Sequence, residues 1–398
     1  MKTLLLVKSG WPLPLRLPAY RHFFRKGWEV AVVDSLLNQS LQIADISICA
    51  ELNDPDEVYF AVMKKIKRKP DAILTMNDSG LVLAATLAKR IGLPFLEIEK
   101  AKNVIQKTKQ REAFKQSGMP TPCWKKVHSS EEVVKMLKEW GELVIKPVDR
   151  SAGAAVKWLK NEIDADRYFQ EALNESPTKR VMIEEFLEGP EISVEMVFAD
   201  GQYHVVCIID KTVTSGPYFI ELGHTVPSNH PLDYLEKAGE AALMACQALG
   251  LNWGICHIEI KLTEQGPVVV EVNPRVPGGC IPELINRALG INLYDLALRQ
   301  ATGEMLTLED LQPIRRKGAA IRYLLSPGGI FIGASSPWTS QPPHGLVELS
   351  VLVEPGSNLP IPSSNAGRIA YAIAERQTAK EAEVLAEEAI RSIVVQTK

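Results

Sequence analysis

The chain has six cysteines (Cys49, Cys123, Cys207, Cys246, Cys256 and Cys280) and no CxxC pair among its 398 residues. A chain with room for about two to four domains of ~100–200 residues builds its own cores, so neither a zinc knuckle nor a disulfide framework is expected. The thiols are expected to be reduced and mostly buried. A basic excess is also missing: 45 Lys and Arg stand against 48 Asp and Glu, for a net charge of -3. That balance excludes an electrostatic grip on a nucleic-acid backbone as the main role. No apolar run approaches the ~18 uncharged residues of a membrane helix, and the apolar run at residues 4–7 is shorter than the ~7–15 residues of a signal-peptide core. A cytoplasmic protein without membrane or nucleic-acid partners is expected. Phosphate-binding signatures of two common kinds are absent as well. There is no GxxxxGK[ST], and the first apolar run ends at Ser9-Gly10-Trp11-Pro12 without GxGxxG spacing, which removes a P-loop and a dinucleotide site. No GxSxG elbow marks a serine nucleophile.

What is present is an ordinary globular composition, 46% hydrophobic and 23% charged, which excludes disorder and fibres. From 1 to 100, short apolar runs (TLLLVK, EVAVVDS, DAILTMND) alternate with helical patterns (AYRHFFRKG, PDEVYFAVMKKIKRK, LVLAATLAKRIG). The alternation predicts a Rossmann-like parallel sheet covered by helices. Asp78 and Ser79 follow a strand, where such sheets take ligands, although Asn77 to Ser79 equally suits a helix cap. Residues 101–180 comprise a connector, with the helix KTKQREAFKQSG and a Pro-containing stretch, and a first strand-rich unit. Residues 181–305 form a second strand-rich unit, and residues 306–398 a mixed α+β C-terminal subdomain with a closing helix. The fold class is thus α/β and α+β multidomain.

The chemistry concentrates in GICHIEIKLTEQGPVVVEVNPR, two alternating strands around Glu264-Gln265-Gly266. Pairing Thr263 with Pro267 sets Lys261 opposite Val269, Glu259 opposite Glu271 and His257 opposite Asn273, all on one face. Ile258, Ile260, Leu262, Val268, Val270 and Val272 then make the other, apolar face. Two opposed carboxylates with an Asn oxygen one pleat on suit a hard cation such as Mg2+ that shares phosphate oxygens. The alternative is a solvated acidic face neutralised by Lys261. Arg275 lies two residues beyond Asn273, and Pro277-Gly278-Gly279 leaves backbone donors free to approach an anion.

Upstream, LVIKPVDRSAGAAV sets Lys146 at a strand end before a small-residue loop, residues 151–155, able to fold over phosphate. VMIEEFLEGPEISVE carries Glu184, Glu185 and Glu191 around the apolar Phe186 and Leu187. Its exposed backbone suits a planar base, and its spaced carboxylate suits ribose hydroxyls.

Together these motifs resemble the ATP-grasp superfamily and, within it, the carboxylate-amine ligases of L-amino-acid ligase type. The resemblance is strong over residues 100–305 and looser in the flanks. It implies an ATP-grasp fold after the N-terminal sheet, with ATP and Mg2+ (Mn2+ as substitute) as cofactors. Lys107 and Lys146 would contact ATP phosphates under a loop containing Ser151, Gly153 and Ala154. Glu184, Glu185 and Leu187 would line the adenine site and Glu191 the ribose. Glu259, Glu271 and Asn273 would ligate metal, while Arg275 and Lys146 would serve the transferred phosphoryl group. FIELGHTVPS is similar to a substrate-pocket segment of the amino-acid ligases, implying substrate contacts from Glu221, His224, Arg275, Gly278 and Gly279. Two departures stand out: Gln106 where the family often has Asp, and SAGAA where the loop is often richer in Gly or Ser. The implied activity is amide formation from a small-molecule carboxylate and amine through an acyl phosphate, in a homodimer. Rival implications are a carboxylase or purine-pathway ligase using bicarbonate or formate, and a catalytically silent nucleotide-binding regulator.

Overall fold

The computed structural model describes residues 1–10, 12–35, 39–150 and 153–398. The N-terminal strands Thr3–Val7, Glu29–Asp34, Ile46–Cys49 and Ala72–Leu74 form a parallel sheet, with Thr3–Val7 between the second and the last. Its side chains alternate between two covered faces. Leu5, Val7, Ala31 and Val33 pack under the helices Pro55–Ile66 and Leu81–Ile91. Leu4, Leu6, Val30 and Val32 face the other way, onto helices Leu17–Arg25, Ile281–Leu289 and Leu293–Ala301. Because both faces are buried, these strands read as continuous apolar runs. The last two covering helices come from far along the chain, which fuses the N-terminal sheet to the body.

A four-stranded antiparallel sheet follows, ordered Trp124–Val127, Val181–Glu185, Leu143–Pro147, Lys157–Leu159. Ile145 and Ile183 point into a core with helices Ser130–Trp140 and Ala165–Glu175. By the period of two, Lys146 and Glu184 face the opposite, open side. Val181–Glu185 therefore pairs with the strands of 101–180.

The largest sheet has eight antiparallel strands: Gly266–Asn273, Ile255–Thr263, Glu191–Ala199, Gln202–Val213, Glu221–Val226, Gly318–Leu325, Arg368–Arg376 and Leu346–Val351. Ile192, Val194, Ile258, Ile260 and Val272 join the core that includes Ala238, Ala242 and Ala245 of helix Leu232–Ala248. The alternate residues Glu191, Ser193 and Glu195 of one strand carry polar groups on the other face. Strands from 306–398 extend this same sheet, and the closing helix Ala379–Arg391 packs on it.

The hairpin pairs His257 with Asn273 and Glu259 with Glu271, as the alternation predicts. Beyond them the register differs: Lys261 faces Val268 and Thr263 faces Gly266, because a β-bulge follows Glu259. One extra residue in the return strand inverts its parity, so Val269 is buried in the core and Val270 is only half-buried. Both bulge carbonyls are taken by one side chain: Arg111 donates to Val269 O at 3.3 Å and to Val270 O at 2.8 Å. All six cysteines are free, four of them buried. Among the described residues no helix is long and apolar enough to cross a membrane.

Candidate functional site

The C-terminal ends of the parallel strands, the Asp149, Arg150 and Arg180 end of the four-stranded sheet with its helix Ala165–Glu175, and the polar face of the large sheet enclose a cleft of about 1030 Å³. Opposite charges meet on each wall and beneath it. On the large sheet, Lys211 is almost fully buried, with Nζ 2.5 Å from Glu191, 3.0 Å from Glu259 and 3.6 Å from Glu221. Burial opposes its charge, but the carboxylates outweigh this and push its pKa well above the usual lysine value. His257 sits between two acids, with Nδ1 2.7 Å from Glu195 and Nε2 3.4 Å from Glu259. Against the cost of burial, these acids push it up to about 10, so it is an imidazolium. Glu259 in turn is held well below the carboxylate range, since Lys211 and His257 outweigh its desolvation.

Lys107 begins the helix Lys107–Gln116 and reaches across to the hairpin, 2.9 Å from Glu271 Oε1, while also donating to the Arg150 carbonyl at 2.5 Å. Three and four residues on, that helix supplies Gln110 and Arg111. Gln110 accepts from Val272 N–H at 2.8 Å and donates to Val272 O at 2.9 Å, completing the open edge of the return strand. Arg111 holds Glu184 with two bonds of 2.7 and 3.2 Å, and Lys146 Nζ lies 2.5 Å from the same carboxylate. Despite its burial, Glu184 is held at about 2 by these two cations. Helix, hairpin and four-stranded sheet are thereby tied around one ionised group.

The Glu184 side chain thus points at Lys146 and Arg111. Glu185 accepts from Cys123 N–H at 3.3 Å, and Leu187 is half-buried in the strand's continuation. Phe186 stacks on Trp158 with centroids 4.0 Å apart and faces Phe219 at 6.4 Å. Gly153 has φ +70°, and its absent side chain leaves 3.3 Å to the Phe219 carbonyl; Ala154 lines the cleft. Ser151 lies outside the described residues.

At the other end, Arg275 grips Asp78 in a two-pronged contact whose second arm is 2.8 Å. Asn77 caps the short turn at Asp78–Gly80 by accepting from Ser79 N–H, so the capping and ligand-end readings of this segment both hold geometrically. Glu221 meets Arg368 at 2.5 Å. Arg368 and Lys211 overcome desolvation and hold Glu221 at about 2. His224 is buried, 3.7 Å from Glu221, with neither ring nitrogen hydrogen-bonded among the described residues, and burial lowers it to about 3. A β-carbon on Gly279, whose φ is +60°, would stand 2.6 Å from His224 Nε2. Gly278 and Gly279 both line the cleft.

The cleft therefore gathers Lys107, Glu221, His224, Glu259, Glu271, Asn273 and Arg275. Residues that sequence reasoning missed are Arg111, Gln110, Lys211, Glu195 and Arg368. Glu195 carries a signal, as a lone charge inside an apolar strand at the parity of Glu191.

Residues 104–279 match the family model described as an ATP-grasp domain, and residues 322–398 match L-amino acid ligase C-terminal domain 2. The matched residues 104–279 are an ATP-grasp domain. A curated ATP-grasp relative, the alanine–anticapsin ligase of Bacillus amyloliquefaciens, is 30% identical over 289 residues, 63% of this chain and 61% of its own length. The chain thus spans less than two thirds of that ligase. An L-amino acid ligase from Bacillus licheniformis superposes with a TM-score of 0.82 at 20% identity, covering 100% of this chain and 99% of the other. The phosphoribosylglycinamide synthetase of Anaerococcus prevotii gives a TM-score of 0.76 at 22% identity, with 100% coverage of both. Those two likenesses establish the ATP-grasp fold.

Proposed function

We propose that this protein is an ATP-dependent carboxylate-amine ligase that joins an amino acid, or another small carboxylate, to an amine. The observation that carries the reading is one cleft in which the opposed Glu259 and Glu271, with Asn273, adjoin Lys107, Arg275 and the Glu221–His224 corner. The C-terminal match and the alanine–anticapsin ligase relative favour amino-acid substrates over bicarbonate or formate.

The donors at the hairpin are two carboxylates and an amide oxygen, and among the described residues no group of three His, Cys, Asp or Glu side chains is placed to hold a metal ion by itself. An oxygen-only set of this kind fits Mg2+ that completes its shell with phosphate oxygens. Glu259, Glu271 and Asn273 would hold it, and when bound it would offset phosphate charge.

The remaining roles fall to the chain. Lys107 and Lys146 face the phosphates, with Gly153 and Ala154 beside them. Backbone of Glu184, Glu185 and Leu187 meets the adenine, and Glu191 the ribose. The substrate carboxylate attacks the γ-phosphoryl group of ATP, releasing ADP and leaving an acyl phosphate, while Arg275 and Lys146 offset charge on the transferring group. The amine then adds to the acyl carbon, loses a proton, and expels phosphate to leave the amide. No side-chain nucleophile takes part. Closure over the cleft keeps water from the activated acyl group. Glu221, His224, Gly278 and Gly279 shape the substrate end.

The test is ADP and phosphate release with Mg-ATP across a panel of amino acids, with bicarbonate or formate plus a ribonucleotide amine as controls. Release that needs an amino-acid pair, with an amide of the summed mass, supports the reading. Release only with the controls moves the protein to the rival ligases.

A further inference from the structure

Most basic groups of the cleft wall are spoken for: Arg275 by Asp78, Lys107 by Glu271, Arg150 by Glu175, Lys157 by Glu171 and Arg368 by Glu221. Arg16 differs. It lines the same cleft, and its guanidinium makes no hydrogen bond or ion pair with any described residue. It ends the turn Leu13–Arg16, which follows the first parallel strand, at the edge where open α/β sheets take ligands.

Two glycines make room for this group. A β-carbon on Gly10, whose φ is +86°, would lie 2.9 Å from both Nε and Nη2 of Arg16, and one on Gly278 would lie 3.6 Å from Nη2. The guanidinium is thus wedged between the N-terminal sheet and the loop after Arg275. Desolvation there lowers its pKa, Tyr294 and Asp78 oppose that, and the neighbouring Arg275 adds to it. A guanidinium so placed is stabilised when an anion fills the space in front of it.

The ligase reading, on which this inference rests, leaves one anion without a partner. ATP meets Lys107 and Lys146, and the carboxylate to be activated lies by Asn273 and Arg275. An amine substrate that is itself an amino acid brings a second carboxylate. We infer that Arg16 binds the free carboxylate of the amine substrate, so that the enzyme selects amino acids over simple amines as acceptors.

The experiment compares kcat/KM for an acceptor amino acid and for its carboxamide, in wild type, Arg16→Gln and Arg16→Lys. A charged hydrogen-bonded contact predicts a wild-type preference for the free acid of about 10- to 100-fold. Arg16→Gln should bring that ratio close to one through a raised KM for the acid, with KM for ATP unmoved; Arg16→Lys should restore part of it. An equal ratio in wild type and folded Arg16→Gln, or a wild-type ratio near one, overturns the assignment. Amide formation by wild type in those cases leaves the ligase reading standing, whereas a wild type that joins no amino acids removes that reading itself.

Discussion

Arg275 and Asp78 lie 197 residues apart and meet through two guanidinium–carboxylate hydrogen bonds inside the cleft. The pair joins the end of a parallel strand to the loop that leaves the hairpin, and it orients Arg275 beside Asn273. Burial disfavours the guanidinium charge, yet Asp78 more than compensates and raises its pKa. Lysine keeps the charge but cannot match the planar two-pronged geometry. Arg275→Lys is therefore expected to fold and to lose about 100-fold in kcat/KM. Steady-state kinetics beside a thermal melt checks both halves.

Glu184 is a structural keystone whose loss should register in stability. Glu184→Gln leaves Arg111 and Lys146 buried without a counter-charge, which costs about 3–5 kcal/mol. Denaturant unfolding measures it. The acid limb gives a second reading. Glu184 is held at about 2 in the fold against an ordinary 4.5, so its stabilisation is complete above about 4.5 and is lost as pH falls towards 2. The variant should lack that part of the acid slope.

His224 has the same sign for a different reason. Burial lowers its pKa to about 3 from 6.5, so below 6.5 the unfolded chain takes up a proton that the fold refuses. Its contribution to stability is present above 6.5 and declines as pH falls towards 3. His224→Phe should flatten that decline in melts taken between these limits. In wild type His224 stays neutral from pH 5 to 8, and it contributes no inflexion to a pH–rate profile there.

Glu271→Gln removes one hairpin carboxylate and the counter-charge of Lys107, while the amide oxygen can still accept from its Nζ. The core face of the hairpin is untouched, since Val269 and Val272 remain buried. The variant should keep its melting temperature to within a few degrees and lose roughly 100- to 1000-fold in ATP turnover. Turnover at the wild-type rate contradicts the assignment of the hairpin.

The hairpin acids were legible because strand periodicity is local: once two strands are joined by a short turn, opposed residues follow from counting. The counting failed past Glu259, where Arg111 captures the carbonyls of Val269 and Val270 and a bulge results, and nothing in either strand announces a partner from a distant helix. Lys146 was legible as a strand-end lysine, but its tie to Arg111 through Glu184 depends on three elements folding together. The parallel sheet was plain from its apolar runs. That two helices from 281–301 cover one of its faces was not, because an amphipathic pattern states which side is buried and not against what.

The central claim is that the substrate carboxylate attacks the γ-phosphoryl group of ATP. Turnover with a donor acid carrying 18O in its carboxylate tests it directly, by mass spectrometry of the released phosphate. The account predicts one 18O atom in each phosphate for every amide formed. Phosphate without label, in a reaction that still yields amide, contradicts it.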